Sequence, residues 1–405
     1  MGSSQVAYVD KKVSFILAFQ FVFIGIKNVL VSAVPFLYQV NEVLNLLLLG
    51  IVCILYVYSF FLLRKRNVYI GMLFLGLLVL LSILSTYLFF PENWVFWQQY
   101  QMRFLIIIFP SCYLISKLRT LDYFKNYMYL GSYLITVSLV LYAIVVQIIG
   151  HSVLSEYSTY SMSMANVAML GIMWQLREVF KEKSKTALLY AMIGMIVLLL
   201  FGSRNQLLAI FAYGILHIIG DSKYKILGFF TLIILAVIVA MFHKEILASI
   251  MELCSRWDIN SRTIALLLEG GIDESTQIRL DTYAMLRKII FRNPLIGLGI
   301  AGDEANVGEL SHSLYYSIWT TYGLFFGTVF ILIVLYWCLK GLSKSNGLAH
   351  QILVMYMCMV FPRSFTGGDM WGSDVFWVML GLCFMIIKSS RKSQWQITTT
   401  CDKQI

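Results

Sequence analysis

Polar residues along this chain come in short bursts, and between them run apolar stretches long enough to cross a bilayer. About 20 residues at a rise of about 1.5 Å each traverse the hydrocarbon layer. The pattern predicts twelve spanning helices, over Val13–Val34, Val43–Leu63, Val68–Phe89, Met102–Ile115, Tyr127–Ile149 and Ser158–Leu176, then Thr186–Phe201, Asn205–Ile219, Ile226–Phe242, Gly323–Leu339, Leu348–Phe361 and Asp374–Ile387. One polar interval is long, from His243 to about Tyr322, and a long ordered loop is usually functional. Its opening, KEILASIMELCSRW, mixes apolar and polar positions as a surface-lying helix does. A turn at Gly270-Gly271, the helical stretch STQIRLDTYAMLRKIIF and the glycine-rich LIGLGIAGDEANVGEL come next.

Composition agrees. Hydrophobic residues make up 60% of the 405 and charged ones only 13%, where a soluble domain keeps about a quarter charged. The expected fold is an all-α polytopic membrane protein. Residues 1–242 carry helices 1–9, 243–322 form a large, partly helical extracytoplasmic loop, 323–388 carry helices 10–12, and 389–405 form a cytoplasmic tail. The polar start MGSSQVAYVDKK lacks the signal-peptide pattern, so the first span is expected to remain as an anchor.

A net charge of +10 raises the question of nucleic acid. The cations answer it by position. Lys11 and Lys12 precede the first span, and Arg64-Lys65-Arg66, Lys117, Arg119, Arg177, Lys181, Lys223, Lys340, Lys344, Lys388 and Arg391 lie after even-numbered spans or in their short loops. With alternating spans all of these fall on one side, and positive short loops mark the cytoplasm. Both termini are therefore expected inside, with lipid rather than nucleic acid as partner. Of seven cysteines, only Cys254 falls in an outer loop, and no CxxC spacing occurs.

The outward cations are different. Arg204 in FGSRNQLLAI, Arg262 in SRTIALL, Arg279 in TQIRLDTY and Arg363 in FPRSFTGGD all lie at or beyond outer helix ends. A charge beside lipid faces a cavity or a partner, and a guanidinium fork suits phosphate. His312 in SHSLYYSIWTTYGLF is either a helix-start anchor or a general base, since imidazole titrates near working pH. Tyr315, Tyr316 and Trp319 fit an interfacial belt or a platform for sugar rings. GLGIAG satisfies GxGxxG but lacks the preceding strand of a dinucleotide site. Its glycines are expected to make a tight turn offering backbone N–H groups to a ligand. The outer acids, among them Asp303, Asp369 and Asp374, form no DxD pair, so no metal is expected and arginines are left to neutralise a diphosphate.

These segments together resemble the bacterial polysaccharide polymerases of the Wzy type, which share a superfamily with the O-antigen ligases. FGSRNQLLAI looks like the family's serine-arginine helix start, and SRTIALLLEGG with TQIRLDTYAML like its outer-loop arginine segment. NPLIGLGIAGD with SHSLYYSIWTTYGLFFG resembles its glycine turn and histidine helix, Ser313 standing where asparagine is usual. YSTYSMSMANVAMLG resembles the tyrosine-serine-rich helix start of these polymerases. The resemblance implies an inverting, metal-independent glycosyltransferase without cofactor at the outer face of a bacterial cytoplasmic membrane. The donor is a glycan on undecaprenyl diphosphate, and the acceptor is a sugar hydroxyl of a lipid-linked repeat unit. Arg204 and Arg279 match the arginines proposed to hold the diphosphate, and His312 the histidine proposed to activate the acceptor. Arg262, Arg363, Asp303, Tyr315 and Tyr316 are expected around the substrates. A flippase and a chain-length regulator are the expected protein partners. A ligase-type transferase and a lipid-linked oligosaccharide flippase are the competing readings. A transporter would place its polar groups at the bilayer midplane, where only Lys27 stands deep in a span.

Overall fold

A computed structural model describes residues 3–33, 37, 39–149, 162–201, 204–221, 245, 247–253, 255–256, 264, 268 and 274–401. All regular structure among them is helical. In chain order the helices are α1 (Ser3–Ala33), α2 (Asn41–Leu63), α3 (Ile70–Phe89), α4 (Trp94–Arg103), α5 (Phe109–Ser116), α6 (Asp122–Ile149), α7 (Met162–Glu182) and α8 (Lys185–Phe201). Then come α9 (Arg204–Asp221), α10 (Glu274–Arg292), α11 (Gly302–Val307), α12 (Leu314–Lys344), α13 (Gly347–Thr366) and α14 (Asp374–Cys401). Among the described residues, five helices are long and apolar enough to cross a membrane: Ser4–Val31, Asn41–Leu63, Ile70–Phe89, Asp122–Val145 and Leu314–Lys344. The protein is thus a helical protein of membrane type.

Eleven of the twelve expected apolar stretches fall on helices, and the ninth, Ile226–Phe242, lies outside the described residues. The helices overrun the apolar stretches. α1 takes in the polar start from Ser3, α4 begins eight residues before Met102, and α14 continues past Lys388 to Cys401. Hydropathy marks where a helix can meet lipid, whereas backbone hydrogen bonding decides where it ends. Between α4 and α5 the ladder slips into a π-turn over Phe104–Ile108, just ahead of Pro110, whose missing N–H the wider turn tolerates.

The chain divides into two compact units. One contains residues 1–17, 47–124 and 274–405; the other contains 18–46 and 125–273. In the first, α14 packs against α5, α12 and α13. α14 approaches α5 so closely that a Cβ on Gly381 would stand 2.6 Å from the Cys112 carbonyl oxygen. Trp97, Phe104, Trp371 and Trp377 interlock beside it, with ring centroids 5.0–5.5 Å apart for Trp97–Trp371, Phe104–Trp371 and Phe104–Trp377. α3 shows the logic of a helix with lipid for solvent: Met72, Leu75, Val79, Ser82 and Thr86 are buried at helical spacing, and the exposed face is Leu73, Leu77, Leu80, Leu84 and Leu88. The buried stripe is the more polar one. Apolar burial gains little when the alternative is lipid, so small and hydroxyl residues make the contact.

In the second unit α7 packs on α8 and α9. Gly171 lies against Ile135 and Gly194 against Ile172, with no room for a methyl at either. Gln175 donates to the Ser132 carbonyl at 3.0 Å and the Thr136 hydroxyl at 2.7 Å, and Gln206 donates to Asn166 at 2.7 Å. The Lys27 ammonium donates to the side-chain oxygens of Asn41 at 3.0 Å and Asn45 at 2.6 Å.

Charge closes one end of the first unit. Asp10 of α1 is fully buried and forms an ion pair with Arg66 beyond α2. The Arg66 guanidinium also donates to the Lys117 carbonyl at 2.9 Å, and the Lys117 ammonium returns a bond to the Arg66 carbonyl at 2.7 Å. Residues that the sequence offers as topology markers therefore tie three chain segments together. Removing one partner of a buried pair leaves a buried charge, at about 3–5 kcal/mol. Arg66→Ala should lower the thermal unfolding midpoint in detergent sharply, whereas Lys65→Ala should leave it near the parent value.

Candidate functional site

The site is built on the break in α12. Gly323 interrupts that helix with φ 80° and ψ 168°, a conformation open to glycine alone. The segment after α10 fits into the break. Pro294 accepts from the Phe325 N–H at 2.9 Å, and the Leu298 N–H donates to the Thr320 carbonyl at 2.6 Å. Gly297, at φ 73°, lies so near that an added Cβ would stand 2.3 Å from the Gly323 nitrogen. From the other side, Ile300 donates to Thr86 Oγ1 at 2.8 Å. The Asn93 amide donates to the carbonyls of Leu298 at 2.6 Å and Ile300 at 3.0 Å. The expectation that this turn lends its N–H groups to a ligand is corrected here. Those of Leu298, Gly299 and Ile300 serve Thr320, Thr321 and Thr86. The turn is a brace.

The brace positions the chain from Ala301 to Ser313. Ala301 in the left-handed region opens α11, and Asp303, only 4% exposed, accepts from the Ser311 N–H at 2.9 Å. Ser313 begins α12 and ties to the α13 end by donating its hydroxyl to the Ser364 carbonyl at 2.9 Å. Between these anchors His312 is held at φ 49°, a conformation rare for a residue with a Cβ. The imidazole is half-buried. Burial first and the Arg279 guanidinium second press its pKa below 6.5, against the pull of Glu309 and Asp303. A histidine so placed is neutral at working pH, with a lone pair to accept a proton.

Arg279 reaches this region from α10. That helix is docked by Tyr283, which stacks on Tyr316 with centroids 4.5 Å apart and planes 8° from parallel, and whose hydroxyl donates to the Phe365 carbonyl at 3.0 Å. Tyr316 thus has one ring face covered by the protein. Tyr315 sits edge-on to Phe365 at 5.3 Å. Arg363, near the end of α13, is drawn by Asp374 and opposed by Arg103. Arg103 itself pairs with Asp374 at 3.3 Å.

The loop between α13 and α14 adds a group that residue type alone did not single out. Asp369 accepts from Ser317 of α12 at 2.7 Å and from the Gly372 N–H at 2.7 Å. Burial, and then the nearby Asp303, raise its carboxyl to about 6. Glu304 accepts from Tyr100 beside the same pair. The signal in the sequence was TGGD, an acid after paired glycines at a helix end. What it lacked was the partner across the fold.

Of the residues expected from sequence, His312, Arg279, Asp303, Tyr315, Tyr316 and Arg363 belong to one compact unit. His312, Arg279 and Asp303 interact electrostatically there. Arg204 opens α9 in the other unit, and Arg262 lies outside the described residues. Among the described residues no group of three or more His, Cys, Asp or Glu side chains is placed to hold a metal ion. No family model matches the chain, and no curated protein sequence is significantly similar to it.

The Asp369 carboxyl gives a pH test. Its folded pKa of about 6 exceeds the ordinary 3.8, so its contribution to stability is complete below about pH 4 and lost as pH rises through 6. Thermal unfolding in detergent between pH 4 and 7 should show that decline in the parent, and Asp369→Asn should flatten it.

Proposed function

We propose that this chain is a bacterial polysaccharide polymerase of the Wzy type, building capsule, O-antigen or exopolysaccharide from lipid-linked repeat units. Twelve spans with both termini in the cytoplasm would place residues 243–322 outside the cytoplasmic membrane. The observation that carries the reading is His312, kept in a left-handed backbone conformation, half-buried, within the field of Arg279. That is an unusual arrangement for a mere anchor. It suits a base held ready beside an anion.

In the reaction, His312 takes the proton from the attacking sugar hydroxyl. The hydroxyl oxygen forms its bond to the donor's anomeric carbon on the face opposite the leaving group. The anomeric C–O bond breaks with its electron pair going to the undecaprenyl diphosphate. Arg279 stabilises the charge on that leaving group, the role a metal takes in other glycosyl transfers. Both substrates keep their tails in the bilayer, so holding the heads together removes translational freedom before the chemical step. Tyr315 and Tyr316 follow the histidine on the first turn of α12, where sugar rings would lie.

Cells carrying His312→Ala or Arg279→Ala should accumulate single lipid-linked repeat units, seen by lipid extraction and mass spectrometry. Normal polymer in both variants would defeat the reading. Long chains stranded on lipid would instead assign the protein to the ligases. In a purified assay with a synthetic donor, the acid limb of kcat/KM should fall below pH 6.5, because the folded site disfavours imidazolium. Glu309→Gln, which removes a group favouring imidazolium, should move that limb lower still.

A further inference from the structure

Helix α10 packs against α12, with Thr282, Leu286 and Ile290 buried four residues apart. The other side of its last two turns carries Arg287, Lys288 and Arg292, all exposed, and no carboxylate stands anywhere between residues 282 and 302. None of the three cations forms an ion pair among the described residues. Arg287 donates one N–H to the Tyr283 carbonyl of its own helix at 3.4 Å. A helix dipole accounts for one cation in a last turn, and Arg292 holds that place. Beside the cations lies exposed carbon: Phe291 and Ile296 are each 66% exposed and Leu295 is 58% exposed. The break in α12 fixes the level of this group. None of residues 314–322 is exposed, whereas Phe325, Phe326, Val329, Leu332 and Leu335 are. The lipid-facing stripe of this membrane-length helix therefore starts at Phe325, whose N–H is bonded to the Pro294 carbonyl, two residues beyond Arg292. Ile296 lines a cavity of about 370 Å³ together with Leu77 and Leu81 of α3 and Phe326 of α12, all exposed residues of membrane-length helices.

We propose that the end of α10 is a docking surface for anionic phospholipid. Arg287, Lys288 and Arg292 meet headgroup phosphates, and Phe291, Leu295 and Ile296 lie among the first carbons of the acyl chains. Unpaired cations at the top of a lipid-facing stripe, with apolar side chains directly beside them, are how a helix seats itself in the headgroup layer. Charge complementarity names the partner: a zwitterionic surface offers these three cations no net attraction, and an anionic one does. The proposal goes beyond the polymerase reading and does not depend on it. Its consequence reaches the site. Arg279 lies two turns earlier on α10 and continues the stripe of Thr282, Leu286 and Ile290 toward α12, so lipid that holds the end of α10 also holds Arg279 in place beside His312.

Photolabelling tests this with the full-length protein in phosphatidylcholine nanodiscs. The probe is a phosphatidylglycerol carrying a diazirine at its glycerol headgroup. Labels should map to peptides covering residues 287–296. Labelling there should fall about fivefold for each cation neutralised by Arg287→Gln, Lys288→Gln or Arg292→Gln. Lys340→Gln with Lys344→Gln, at the far end of α12, should leave it unchanged. Equal labelling in the parent and the triple variant, or an equal loss in the Lys340 and Lys344 control, would overturn the proposal. So would suppression by excess undecaprenyl diphosphate where the same excess of phosphatidylglycerol does not suppress, because the cations would then serve a lipid-linked diphosphate instead. Hydrogen exchange gives a second measure. Amides of residues 284–292 should exchange more slowly when phosphatidylglycerol is added to the nanodiscs, and the triple variant should lose that dependence. Exchange that ignores the lipid in the parent counts against the docking surface. Neither measurement uses glycan transfer, so His312→Ala should leave both unchanged, and failure of the polymerase reading would leave this proposal standing.

Discussion

Hydrocarbon offers no hydrogen bonds, so a backbone that leaves helical geometry near lipid must find every partner within the protein. That constraint governs the segment from Asn293 to Ser313. It is irregular on either side of the short α11, it lies against two membrane-length helices, and the backbone groups of Leu298, Gly299 and Ile300 find partners on them. Thr320 and Thr321 supply carbonyls freed by the break at Gly323, Thr86 supplies a hydroxyl, and Asn93 supplies both amide hydrogens. Two glycines face each other across the contact because backbone must touch backbone there.

The rigidity of that brace is what permits His312. A left-handed residue with a side chain persists only when its neighbours over-determine it. Asp303 fixes the N–H before it, and Ser313 is tied to α13 just after it. The same elements set the electrostatics. Arg279 arrives on α10, held by the stacked pair Tyr283 and Tyr316, and disfavours imidazolium. Burial first, and the nearby Asp303 charge second, push the Asp369 carboxyl toward neutrality. Cation, imidazole and acid pair thus belong to one compact unit, where their charges act on one another.

The cavity between α3 and α12 is lined in part by Gly299 of the same brace. Local stability and the placement of His312 therefore share one structural element. A change at Gly297 or Gly323 would be felt in both, although neither residue carries a functional group.

The sequence by itself determined the class of the molecule, the apolar stretches that its helices carry and the chemical types gathered between residues 243 and 322. Hydropathy over about 20 residues reports a solvent, and lipid is a solvent that composition cannot disguise. It marked Arg279 because charge beside lipid is costly and so conspicuous, and His312 because imidazole titrates near working pH. It misjudged GLGIAG, since a string of glycines announces close approach without saying to what. Asp369 looked like any other loop acid. Only the tertiary structure decided that Gly297 meets Gly323, that Asp369 meets Ser317 near the Asp303 charge, and that Arg66, expected as a topology marker, ties α1 to the segment at Lys117. Those are pairings between residues far apart in the chain, and a partner across a fold leaves no mark on the local pattern of either segment.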